Sequence, residues 1–217
     1  MAYFSLRVPT PNNSLSIIRC FAQREIAESL EKETNPGDIL EVKGYLRNER
    51  ENRQMLVIVV KFTKLTIKAE EINPETSDQV QLIGKVITDL QDYQNSSPDS
   101  SVLSFKISVP REKNEFPLYF CRAHGQLVTE IQKQLKKNDI ILLEGYLQTV
   151  KVASETGKFE ERDSRISSII CQGFTRLGSD IVDDFTPPSQ FVRVFREVEK
   201  IDFSKEPPKK SKKVIEE

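Results

Sequence analysis

Few residues in this chain of 217 can do covalent chemistry. It has one histidine, His124, and three cysteines, Cys20, Cys121 and Cys171. A Ser/His/Asp or Cys/His site would have to use His124, and no nucleophile motif surrounds it. Neither a GxxxxGK-Ser/Thr loop nor a GxGxxG loop occurs. Carboxylates are abundant but not paired at a recognisable spacing. A lone His with scattered Cys leaves little material for a zinc site. No enzyme, cofactor or metal is therefore expected. The cysteines are also too few for a disulfide framework, which points to a reduced setting. Cys20 and Cys121 are expected to act as small buried hydrophobes.

Charge and composition narrow the remaining classes. Lys and Arg number 32 against 33 Asp and Glu, a formal net charge of -1. That speaks against a uniformly basic surface but allows a local basic groove. Apolar residues make up 37%, enough for small barrels or sandwiches, and Trp is absent. No run of 18 apolar residues occurs, so no membrane span is expected. The start MAYFSLRVP has neither a signal-peptide nor a transit pattern. An intracellular protein without targeting signal is expected, from a bacterial cytoplasm or from an organelle such as a plastid or mitochondrion.

An internal repeat organises the elements. DILEVKGYL (38–46) resembles DIILLEGYL (139–147) at an offset of 101 positions. The same offset pairs Phe4 with Phe105, Pro9 with Pro110, Cys20 with Cys121 and Ala22 with Ala123. KFTKL (61–65) then resembles GFTRL (173–177) at an offset of 112. A repeat of this kind decides the architecture. In the second copy, QVQLIGKVITDL (79–90) reads as a strand and VLSFKISVP alternates at period two. EFPLYFCRAH is another strand, a helix covers 125–136, and strands begin at Ile140 and in SRISSIICQGFTRL. Five strands with a helix between the third and fourth is the order of a small Greek-key barrel, the OB-fold. The first copy has the last four strands and the helix but lacks the first strand, which would precede Met1. Such a barrel would leave open edges. Downstream, QFVRVFREVEK alternates like a strand. Two readings stand here: 189–198 returns to complete the first barrel, or it is a tail helix or strap. The expected layout is a first barrel over 1–69 lacking its N-terminal strand, a linker at 70–77 and a complete second barrel over 78–178. An acidic, Pro-containing linker at 179–188, the returning strand at 189–203 and a disordered basic tail at 204–217 follow.

LYFCRAHGQLVTEIQKQLKKNDIILLEGYLQT closely resembles the bacterial and organellar single-stranded-DNA-binding protein family. The shared marks are an aromatic-rich third strand, a Gly opening the helix, a Lys/Asn-Asp turn and a fourth strand ending in E-G-x-L-x-T. VQLIGKVITD resembles that family's first strand. The likeness covers about 78–178 well and 3–67 mainly through the repeat. The fold class implied is mostly β, two tandem OB-fold barrels; completion of the first by a C-terminal strand is one of the two readings of 189–198 given above.

The resemblance implies sequence-nonspecific binding of single-stranded DNA, protecting or organising it in replication, recombination or repair. Bases would stack on aromatic rings and Lys and Arg would attract phosphates. Replication proteins are implied partners. Two copies of the chain would supply the about four barrels such proteins assemble. The competing reading is an OB-fold adaptor or scaffold subunit, primosome-like, with weak nucleic-acid affinity. Where the family places stacking aromatics this chain has Leu118, His124 and Val152, and in the first copy Ile17 and Gln23. Alternation leaves Phe120, Arg122 and His124 outward in the second copy, with Tyr119, Cys121 and Ala123 inward. Arg19 and Phe21 are their first-copy equivalents. Lys151 and Lys158 sit in or beside the long hairpin, and Arg47, Arg50 and Arg53 in the shorter one. All ten are candidate nucleic-acid contacts. The family's acidic, Pro-Phe tip has no match in KKVIEE. DIVDDFTPP (180–188) has a similar composition and is read as a linker.

Overall fold

Strands dominate because apolar and polar residues alternate along most of the chain. The computed structural model describes residues 1–10, 15–49, 54–75, 78–93, 101–110, 115–151, 165–179 and 191–202. For 49, 91–93, 151, 165 and 191–202 the backbone alone is described. The first copy forms β1 (Ala2–Pro9), β2 (Leu15–Ala22), α1 (Arg24–Glu33), β3 (Ile39–Glu49) and β4 (Gln54–Leu65). A single 3-10 turn at Ala69–Glu71 leads on. The second copy forms β5 (Asp78–Val86), β6 (Gln91–Tyr93), β7 (Val102–Ser108), β8 (Leu118–His124), α2 (Gln126–Gln134), β9 (Ile140–Lys151) and β10 (Arg165–Gly178). β11 (Phe191–Asp202) follows. The short β6, paired with β7 from Gln91–Ser104 to Tyr93–Val102, has no counterpart in the expected order. The first strand of the second copy ends at Val86 rather than near 90, where Asn138 N–H donates to the Val86 carbonyl.

Hydrogen-bonded neighbours run β1-β2-β4-β3-β11-β5-β9-β10-β8-β7-β6, with additional pairings β1–β11 and β5–β7. The additional pairings close two barrels. One is β5-β9-β10-β8-β7, and the other is β1-β2-β4-β3-β11. The strand missing from the first copy is therefore supplied by β11, which runs antiparallel to β1 and to β3. β11 is a strand, not a helix. Its first residues also pair with β5, from Phe191–Gln81 to Val194–Asp78. Val192 lies opposite Gly44 and Val80 lies opposite Gly145, and these two valines face each other. An approximate two-fold axis thus passes through the Val80–Val192 pair. Side chains reinforce this junction. Tyr119 Oη donates to the Leu46 carbonyl at 2.9 Å and Asn48 Nδ2 to the Leu118 carbonyl at 2.7 Å. Thr149 N–H donates to Ser16 Oγ at 2.8 Å. One apolar core, including Leu46 and Val57 on one side and Leu147 and Ile169 on the other, runs through both barrels.

The repeat extends to backbone detail. Arg24 (φ 49°) and Gly125 (φ 61°) open the two helices in the left-handed region. Gly37 (φ 97°) and Asn138 (φ 76°) do the same before β3 and β9. Asp38 then accepts from Asn35 N–H at 2.7 Å and Asp139 from Lys136 N–H at 2.8 Å. Lys64 pairs with Asp38 and Arg176 with Asp139. The Lys64 hydrogen bond holds the Asp38 carboxyl below its ordinary pKa. Burial is the largest single influence on Asp139 and pushes it up, but the Arg176 and Lys136 hydrogen bonds and charges together outweigh it and hold it low too. Gly44 and Gly145 lie where β3 and β9 press on β4 and β10. A Cβ at either would collide with the backbone carbonyl of Ile58 or Ile170.

Gly145→Ala should lower stability by about 1–3 kcal/mol, because backbone rather than a flexible side chain must move. Thermal melting checks it; an unchanged midpoint contradicts the close approach. Arg24→Gly should raise stability by ~0.5–1 kcal/mol, since a non-Gly residue at positive φ costs about that much net of glycine's entropy. A lower melting midpoint would contradict it.

Candidate nucleic-acid interface

The period of two along β8 separates its side chains cleanly. Tyr119, Cys121 and Ala123 are buried in the core. Leu118, Phe120, Arg122 and His124 are exposed on the outer face. β7 pairs beside it with Ser108 opposite Leu118, Lys106 opposite Phe120, Ser104 opposite Arg122 and Val102 opposite His124. Cross-strand partners share a face. The Lys106 ammonium stands 4.6 Å from the centroid of the Phe120 ring, in cation–π geometry. Phe120 remains 37% exposed. An aromatic ring and two cations, Lys106 and Arg122, therefore lie within one strand spacing on an open surface. Partial burial, and then the neighbouring Arg122 charge, hold the His124 imidazole below its usual pKa and so disfavour its charged form.

The equivalent face of the first barrel is built differently. Across its strands one row runs Tyr3, Phe21, Ile58, Tyr45, and the next runs Ser5, Arg19, Leu56, Arg47. Phe21 is only 5% exposed and packs with Leu56 and Ile58 beneath Tyr3. The Tyr3 and Phe21 rings are 4.6 Å apart at a 37° tilt. Phe21 thus faces outward, as alternation requires, but its ring is covered and offers no platform to a base. Arg19 donates to Gln54 Oε1 at 3.1 Å, and Arg47 is exposed beside Leu56.

The structure brings Phe120, Arg122 and His124 together and sets Arg19 and Arg47 on the opposite barrel. Lys151 ends β9 opposite Arg165, with its backbone alone described. Lys158, Arg50, Arg53 and Val152 lie outside the described residues, as do 180–188 and the tail. Two further cations join the faces: Lys106 on β7 and Arg7 on β1, the latter opposite Ile17. Both occupy the polar phase of an alternating strand, a signal the sequence does carry. Cys20 and Cys121 are buried, and burial pushes both thiols far up, away from reactivity. Among the described residues no group of His, Cys, Asp or Glu is arranged to hold a metal ion.

Comparison with known proteins places this architecture. The model of the single-strand binding protein family matches residues 77–175. The wild-type single-stranded DNA binding protein from Thermus aquaticus superposes with a TM-score of 0.57 at 14% identity, covering 85% of this chain and 94% of that one. A deletion mutant of the same protein gives 0.58 at 14% identity, covering 84% and 83%. At that identity the likeness shows the fold, and the fold is shared across both barrels. No curated protein matches the sequence significantly. The matched segment begins at the strand that meets β11 and ends within the strand that follows the long hairpin, so it takes in one whole barrel. Residues 77–175, the second barrel, are thus similar to the single-strand binding protein family in sequence, and both barrels share its fold.

Proposed function

We propose that the chain binds single-stranded DNA without strong sequence preference, with bases stacking at Phe120 and phosphates meeting Lys106 and Arg122. The observation that carries this is the exposed Phe120 ring with Lys106 at 4.6 Å. The outward residues of β7 and β8 include no carboxylate, although the chain as a whole has a net charge of -1. Base stacking on an aromatic ring contributes ~1–3 kcal/mol per base and needs no particular sequence. The match of the second barrel to the single-strand binding protein family model supports the same reading. A role in protecting or organising single strands during replication, recombination or repair follows, with replication proteins as partners. Two chains would form an assembly of four barrels.

A second reading, an adaptor subunit with weak nucleic-acid affinity, draws on the covered Phe21 and on Leu118 and His124 at positions where the resembled family stacks aromatics. One titration separates the two. Fluorescent oligo(dT) should bind with micromolar or tighter affinity at about 50 mM salt and lose affinity as salt rises. Phe120→Ala should weaken binding roughly 5- to 150-fold, the equivalent of one lost stacking contact. Absence of micromolar binding would leave the adaptor reading. Normal binding by Phe120→Ala would remove this face from the site.

A further inference from the structure

The repeat allows the two outer faces to be compared position by position. β2 presents Arg19 and then Phe21, whereas β8 presents Phe120 and then Arg122, so cation and ring have exchanged places between equivalent positions. The exchange changes what each face can touch. In the second barrel the ring is open and lies under Lys106. In the first barrel the ring is covered by Tyr3 and supported by Leu56 and Ile58. What remains open there is cationic. Arg7 and Arg47 are exposed and Arg19 is half-buried between them. Arg19 and Arg47 flank Leu56 in one cross-strand row, and Arg7 lies on the neighbouring strand one pleat further along. Strands are spaced ~4.8 Å apart, so Arg19 and Arg47, two strands from each other, stand on the order of 10 Å apart. That stripe lies across β1-β2-β4-β3; the Ser5, Arg19, Leu56, Arg47 row contains no carboxylate, while Glu197 of β11 stands opposite Arg7 in register.

We propose that the two barrels hold one DNA strand by different contacts: the first barrel binds its phosphate backbone alone, through Arg7, Arg19 and Arg47, and the second adds base stacking on Phe120 to its own phosphate contacts. The proposal rests on the single-stranded DNA reading and assigns it a division of labour. Phosphate contacts release counterions, and each one on a single strand adds about -0.7 to the slope of log K against log salt. Stacking contacts add affinity without adding to that slope.

The test is salt titration of oligo(dT) binding by the full chain and its variants. The Arg7→Gln/Arg19→Gln/Arg47→Gln triple variant should reduce the slope by about 2. Arg7→Gln/Arg47→Gln, which leaves the Arg19–Gln54 hydrogen bond intact, should reduce it by about 1.4 and guards against a folding defect in the triple. Phe120→Ala should lower affinity at every salt concentration with the slope unchanged. On an oligonucleotide of abasic sites, wild type and Phe120→Ala should bind alike, while the arginine variants still lose slope. If wild type binds oligo(dT) and both arginine variants keep its slope, the division of labour is overturned and the binding reading stands. A fall in slope for Phe120→Ala also overturns the division. If wild type does not bind, both fall together.

Discussion

A barrel with one strand missing has two unpaired edges, and the polar groups along them must find partners. In this chain β11 meets that requirement. It closes the first barrel between β1 and β3 and, through its first residues, pairs with β5 of the second. The Val80–Val192 pair is where one pairing serves both barrels. The relative placement of the two outer faces follows from it. Because β11 and β5 pair antiparallel, the barrels are related by a near two-fold rotation. The Tyr119–Leu46, Asn48–Leu118 and Thr149–Ser16 bonds lock that rotation beside the shared core.

The charge balance takes on a physical meaning in this frame. A net charge of -1 describes the chain, not its surfaces. Outward positions of β7 and β8 carry Lys106 and Arg122, and those of β1, β2 and β3 carry Arg7, Arg19 and Arg47. Some acidic side chains serve structure instead: Asp38 and Asp139 organise the turns before β3 and β9 and pair with Lys64 and Arg176. Field focusing by a local patch survives a neutral total, since screening limits distant charges to a Debye length of about 8 Å at physiological salt.

Much of this is legible in the residues. Period-two alternation locates β7 and β8 and separates Phe120 and Arg122 from Tyr119 and Cys121. The offset between copies exposes the missing strand, and the alternation in QFVRVFREVEK supplies a candidate for it. β6 is too short for any periodicity to register. Alternation assigns a face but not what covers it, so the packing of Tyr3 over Phe21 depends on register between β1 and β2 that no local pattern contains. The role of Lys106 is hidden for a related reason: its importance comes from the cross-strand partner Phe120, which lies beyond an intervening turn. The positive φ of Arg24 is invisible in its residue type, and only its equivalence to Gly125 reveals the strained backbone.

The arrangement of both barrels depends on β11 (Phe191–Asp202) being a structural strand of the first barrel. Amide hydrogen exchange on the full chain and on a chain ending at residue 188 tests this most directly. Truncation should strip protection from β1 and β3, whose edges β11 covers, while β8, β9 and β10 stay protected. Unchanged protection in β1 and β3 after truncation would contradict it.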